Sequence, residues 1–254
     1  MVLAFVSCTS SVNKAPDIKG AYFMTSQTVT NAKENVTYSD LKQLKIYTDS
    51  FMMYTQVNPA DSVSGFGVGY YLSDSGKIIE HALYTSRENG FSTSPASYSL
   101  TIEKTPEGYT QFIPEIIIDS TKSKLKEEYQ YVGKKSQTTP LDGVWKQTAF
   151  YMVKGNDTTK DDRTQYKAYY QGYFMFGQTT KDSSNKIHTG IGFGTFVMNG
   201  DNKIKETDLN STYSIIAGNS FDIDFVVKGP DSYMQTITNP DSSKSIEVYE
   251  RLKK

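Results

Sequence analysis

Lys45-Ile46-Tyr47-Thr48-Asp49-Ser50-Phe51-Met52-Met53-Tyr54 recurs later in the chain as Lys167-Ala168-Tyr169-Tyr170-Gln171-Gly172-Tyr173-Phe174-Met175-Phe176. Each copy places two aromatic- and methionine-bearing runs around a two-residue turn, Asp49-Ser50 in one and Gln171-Gly172 in the other. Such turns favour residues that tolerate positive φ, so each copy reads as a β-hairpin. Outward from the hairpin the correspondence continues. Gly20-Ala21-Tyr22 recurs as Gly143-Val144-Trp145, and Gly65-Phe66-Gly67-Val68-Gly69 as Gly190-Ile191-Gly192-Phe193-Gly194. Tyr109-Thr110-Gln111 returns as Tyr233-Met234-Gln235, and Glu127-Glu128-Tyr129 as Glu247-Val248-Tyr249. The offset stays at about 120–125 residues throughout, so two copies of one fold make up the chain of 254 residues.

The repeat sets the domain boundaries at residues 18–135 and 141–254, with the polar linker Ser136-Gln137-Thr138-Thr139-Pro140 between them. Each unit reads as about eight short strands joined by tight turns. Residues 38–44, and their counterpart 161–166, are the one place where a helical turn is expected. Strands joined by tight turns pair antiparallel, because a parallel pair needs a long crossover. An open sheet of so many twisted strands leaves edges unpaired, and closure removes them. The expected fold is all-β: two tandem antiparallel up-and-down β-barrels of about eight strands each, with a β-sandwich as the alternative.

Gly143-Val144-Trp145 opening the second unit, with Arg251 in its last strand, resembles the lipocalin and calycin barrels. In that family the Trp closes the bottom of the barrel and the late Arg packs across its indole. The resemblance therefore implies a barrel-closing pair of Trp145 and Arg251, with Gly143 beside them. The first unit departs from the pattern: Gly20 is kept, Tyr22 replaces the Trp, and Tyr131 stands where Arg251 does. The Thr-Asp-Tyr element of secreted lipocalins has only Thr207-Asp208-Leu209 as its nearest match.

A second resemblance lies at the start of the chain. Met1-Val2-Leu3-Ala4-Phe5-Val6-Ser7-Cys8 is similar to the lipobox of bacterial lipoproteins, although no Lys or Arg precedes its apolar run. It implies that residues 1–17 are a signal remnant and tether, and that Cys8, the one cysteine of the chain, is a lipid anchor. With Thr9 rather than Asp after the cysteine, the implied address is the outer membrane of a Gram-negative envelope.

Net charge is −1, and no segment carries a basic stripe, which argues against a nucleic-acid partner. Neither His81 nor His188 has a repeated partner, so no catalytic triad, metal-ligand spacing or cofactor motif is legible. Asp157-Thr158-Thr159-Lys160-Asp161-Asp162 lacks the order and the Gly of a calcium loop. Asp119 and Asp241 read as turn residues. The expected function is non-catalytic.

In the glycine-alternating strand, Gly65, Gly67 and Gly69 share one face, and Phe66, Val68, Tyr70 and Leu72 the other. The bulky face is expected to line the barrel and the glycine face to admit a neighbour. The reverse assignment opens a slot for a ligand instead. On the first assignment Tyr54, Phe66, Tyr70, Phe176 and Phe193 are candidates to bind a small apolar or amphipathic ligand within the barrels. The alternative is a structural lipoprotein with filled barrels that meets a protein or glycan on its outer surface.

Overall fold

The computed structural model describes residues 17–58, 63–74, 76–86, 96–118 and 120–254. Cys8, most of the tether and Asp119 lie outside them. The first unit comprises β1 (Gly20–Thr30), β2 (Asn35–Tyr38), β3 (Lys42–Tyr47), β4 (Phe51–Val57), β5 (Ser64–Asp74), β6 (Lys77–Thr85), β7 (Ala96–Thr105), β8 (Gly108–Ile118) and β9 (Thr121–Tyr131). The second comprises β10 (Gly143–Lys154), β11 (Asp157–Lys160), β12 (Thr164–Tyr170), β13 (Tyr173–Lys181), β14 (Ile187–Met198), β15 (Lys203–Ser211), β16 (Ser220–Gly229), β17 (Ser232–Thr238) and β18 (Lys244–Arg251).

Each unit is a closed antiparallel barrel. β1 pairs with β9, and β10 with β18, so neither sheet keeps a long free edge. β1 uses Gly20–Phe23 against β3 and Gln27–Thr30 against β2, on one and the same edge. Strands β2 and β3 are thus successive parts of a single stave, as are β11 and β12 beside β10. Eight staves result in each barrel. The helical turn expected at residues 38–44 and 161–166 is not formed: Tyr38 ends β2 and residues 42–44 begin β3, while residues 161–163 connect β11 to β12, which begins at Thr164. Edge pairing to the long first strand overrides the weak local preference of a polar stretch.

Both first strands bend at the same place. The register of β1 against β9 shifts between Met24 and Ser26, and that of β10 against β18 between Gln147 and Ala149. The bulged residue is a threonine in both copies, and its hydroxyl donates to a carbonyl of the last strand, Thr25 to Glu128 and Thr148 to Val248. Bulges sharpen twist, which a small closed barrel needs.

Three apolar clusters hold the molecule together. One fills the first barrel, around Tyr22, Tyr47, Tyr109 and Tyr129, and one fills the second, around Trp145, Tyr169, Tyr233 and Tyr249. The third lies between the barrels and draws on both, with Leu44, Ile46, Met53, Phe66 and Val68 meeting Tyr166, Ala168, Met175, Ile191 and Phe193. Strands β3–β5 and β12–β14 are consequently buried on both faces over much of their length. Phe66 marks the close fit. Its ring lies where a Cβ on Gly177 would stand, and it faces Tyr84 at 5.2 Å and Tyr166 at 6.5 Å.

This layer reverses the expected facing of the glycine strand. Phe66 and Val68 point out of their own barrel into its sibling, as Ile191 and Phe193 do from the other side. The glycine face points inward, where the Tyr54 ring occupies the space beside Gly67 and the Phe176 ring that beside Gly192. The outer wall of these strands is another protein surface rather than water, so the larger apolar residues belong there.

Candidate functional site

The closed end of the second barrel is built on β10 and β18, which place Trp145 opposite Arg251. The indole is buried, and its N–H donates to the Leu141 carbonyl at 2.7 Å. Tyr233 meets it edge-on at 4.7 Å, while the Arg251 guanidinium lies 4.1 Å from the indole centroid. That guanidinium also donates to the carbonyls of Asp142 at 2.8 Å and Pro230 at 3.1 Å. Gly143 has φ +146°, and a Cβ there would collide with the guanidinium, so glycine is needed for both conformation and room. In the first barrel Tyr22 faces Tyr131 across the same pair of strands, with ring centroids 5.4 Å apart, and Gly20 leaves space for both rings. The Tyr131 hydroxyl then reaches out to Gln171 of the second barrel at 2.8 Å.

Above each closed end the lumen is occupied by a polar network that the two copies share. In the first barrel the Lys45 ammonium lies 2.8 Å from Glu80 and donates to Gln111 at 3.2 Å. Tyr47 donates to Glu80, and Glu127 accepts from Gln111, from Tyr129 at 2.9 Å and from Gln27 at 2.7 Å. In the second, Lys167 lies 2.7 Å from Glu206, Tyr169 donates to Glu206, and Glu247 accepts from Tyr249 and from Gln235 at 2.9 Å. Burial pushes the phenols of Tyr47, Tyr129, Tyr169 and Tyr249 well above the usual range, which keeps them as donors. Aromatic rings fill what remains: Tyr109 stacks on Tyr129, and Tyr233 on Tyr249, each at 4.8 Å.

Four positions set the copies apart. Met24 and Gln27 of the first barrel face Tyr129 and Glu127, whereas the second sets Gln147 against Tyr249 and Phe150 against Glu247. The glutamine and the apolar residue have changed places. Arg163 stands before Lys167 where Leu41 stands before Lys45, and its guanidinium lies 3.6 Å over the Phe150 ring. Asp208 occupies the place of Ala82, opposite Gly194 as Ala82 is opposite Gly69. Its Oδ1 is buried without a hydrogen-bond partner, and its acidity is weakened to a pKa of about 7, chiefly by burial and then by Glu206, with Lys167 opposing.

Of the five ligand candidates, Tyr54 and Phe176 lie inside their barrels, where they fill the glycine slot. Phe66 and Phe193 sit between the barrels instead. Tyr70 is on the outer surface, stacked on His81 at 4.5 Å with Lys254 5.2 Å from its ring. His81 meets Ser97 at 2.8 Å, and His188 meets Asp182 at 2.9 Å, on separate parts of the surface. Among the described residues no group of three His, Cys, Asp or Glu side chains could hold a metal ion, and no helix is long and apolar enough to cross a membrane.

Two clefts stand out among the described residues, and the larger reaches the inward-facing Gln147 and Phe150 of the second barrel. One of about 370 Å³ separates the Asp49-Ser50 turn from Gly143 and Arg251. The other, about 510 Å³, lies where Tyr84 of the first barrel meets β10, the β11–β12 connection and the end of β13. Clefts of this size fall within the range that binds small ligands. The chain matches no family model and no curated protein.

Proposed function

We propose that the protein is a non-catalytic lipocalin-like scaffold of the cell envelope, anchored through Cys8, that meets its binding partner on the outside of two filled barrels. The observation that carries this reading is the occupancy of each lumen by the barrel's own side chains. Lys45, Glu80, Gln111 and Glu127, and their counterparts in the second copy, satisfy one another by hydrogen bonds. An apolar ligand entering there would have to separate buried partners whose loss costs about 1–3 kcal/mol for each neutral group and more for each charge. Such a lumen favours rigidity over capture.

Native mass spectrometry of the protein purified from its own host, followed by NMR titration with oleate and with heme, tests the proposal. No retained species and no shifts at Met24, Tyr109 or Tyr129 are expected. A stoichiometric lipid or heme that perturbs those lumen residues would overturn it. The address is tested separately: radiolabelled palmitate should be incorporated into the wild-type chain and not into Cys8→Ala, which should leave the membrane fraction. Unchanged fractionation of Cys8→Ala would refute the anchor.

A further inference from the structure

The larger cleft combines a buried unpartnered acceptor with a charge-balanced rim. Among its lining residues Gln147 is only 6% exposed, and its Oε1 has no hydrogen-bond partner. The same side chain's Nε2 reaches Tyr249 at 3.4 Å, so the amide is held with its acceptor left over. A buried unpaired carbonyl of this kind costs about 1–3 kcal/mol until a donor arrives. Beside it, the Tyr84 hydroxyl and Thr179 share a hydrogen bond of 2.8 Å that ties the two barrels together at the cleft wall.

The rim is charged but balanced. Lys160, Arg163 and Lys181 are matched by Asp161, Asp162 and Asp182. Arg163 is committed to Asp161, with its Nε at 3.1 Å, and its flat face is held on Phe150. Asp182 is committed to its own turn, accepting from the backbone N–H groups of Ser184 at 2.8 Å and Lys186 at 3.0 Å, and to His188. No uncompensated charge is left to draw an ion. What remains available is a set of hydroxyls and amides: Thr164 and Thr180, Asn185 and Gln147, with Thr148, whose proton goes to Val248, able to accept. The cleft is also specific to one copy, because it depends on Gln147, Phe150 and Arg163, which replace Met24, Gln27 and Leu41 of the first barrel.

From this chemistry we infer that the cleft between Tyr84 and the β11–β12 connection binds a neutral, hydroxyl-rich ligand, a mono- or disaccharide unit, with a ligand O–H or N–H donating to Gln147 Oε1. The inference rests on the proposal that each lumen is filled by its own side chains, so that binding is left to the barrel's outer opening beside Gln147, and it names the site and the ligand class. A neutral polyol is matched by paired donors and acceptors without paying for ion desolvation.

NMR titration of the full chain with maltose, with N,N′-diacetylchitobiose and with glucuronate tests it, read at the amides of Gln147, Thr148, Thr164 and Thr180. At least one neutral sugar is expected to give saturable shifts confined to these residues, with glucuronate weaker. Gln147→Met, which keeps shape and removes the acceptor, should weaken binding about tenfold. Arg163→Leu, which installs the residue of the first barrel, should abolish it; circular dichroism checks that both variants are folded. Absence of shifts at the cleft with both neutral sugars, preference for glucuronate, or unchanged binding by a folded Gln147→Met would each overturn the inference. Shifts at Met24 and Tyr129 instead would refute the filled-barrel proposal.

Discussion

Replacing Lys167 by Met should damage the second barrel far more than its modest change in size suggests. Lys167 and Glu206 are 2.7 Å apart, with side chains only 4% and 6% exposed. Removing the ammonium leaves a carboxylate in the lumen with Tyr169 as its remaining direct donor and Asp208 as an acidic neighbour. Breaking a buried pair from one side costs about 3–5 kcal/mol. Retention of the Tyr169 bond puts the expectation near 3 kcal/mol. With a urea dependence of roughly 2 kcal/mol per molar, the unfolding midpoint should fall by roughly 1.5 M. The assay is built in: Trp145 is the only tryptophan of the chain and is buried in this barrel, so its emission follows the barrel's unfolding. Pairing Lys167→Met with Glu206→Gln removes both charges and should recover most of the loss, because buried pairs exchanged for uncharged residues of similar volume are often neutral. A single-substitution loss below about 1 kcal/mol, or a double variant no better than the single, would refute the view that the network is a mutually dependent unit.

Three further outcomes are expected. Asp208→Ala, which copies the first barrel, should stabilise the protein by about 1–3 kcal/mol above pH 7. Since the folded pKa of about 7 exceeds the unfolded value near 3.8, the wild type loses stability as pH rises between them; urea midpoints across that range should converge for the two proteins in acid. Arg251→Ala removes the guanidinium from the indole face, a contact of roughly 0.5–2 kcal/mol, along with its bonds to backbone carbonyls; Trp145 emission should shift to the red, and Arg251→Lys should not restore it. Phe66→Ala empties the seat beside Gly177 and should cost about 3–5 kcal/mol; calorimetry should then resolve two transitions where the wild type shows stronger coupling. Coincident transitions at an unchanged temperature would count against a shared layer.

The architecture was legible because its signals are local. Alternation in segments such as Thr121–Tyr131, paired turn residues, and duplication each speak without tertiary information. The lumen chemistry leaves only a faint trace in the sequence. Gln111, Glu127, Gln235 and Glu247 mark the repeat itself, yet polar residues at every second position ordinarily belong to a solvated face. The available clue was recurrence. Lys45, Glu80, Gln111 and Glu127 return in kind as Lys167, Glu206, Gln235 and Glu247, whereas a half-buried neighbour such as Glu128 returns as Val248. The facing of Phe66 and Gly67 could not be read locally, because it depends on a sibling barrel pressed against the strand. Gln147, Phe150 and Arg163 gave no motif; only comparison with Met24, Gln27 and Leu41 singles them out.

The layer around Phe66 and Gly177 leaves six staves without a weather side. Any change on the outer skin of β4 or β13 is felt as an interior change by the opposite barrel, so these strands must drift in concert or not at all. Latitude for novelty is left to the far flanks, where β7 and β16 are mostly exposed and bury few side chains. Variation among descendants of this duplication should therefore gather there, away from the layer where the cylinders meet.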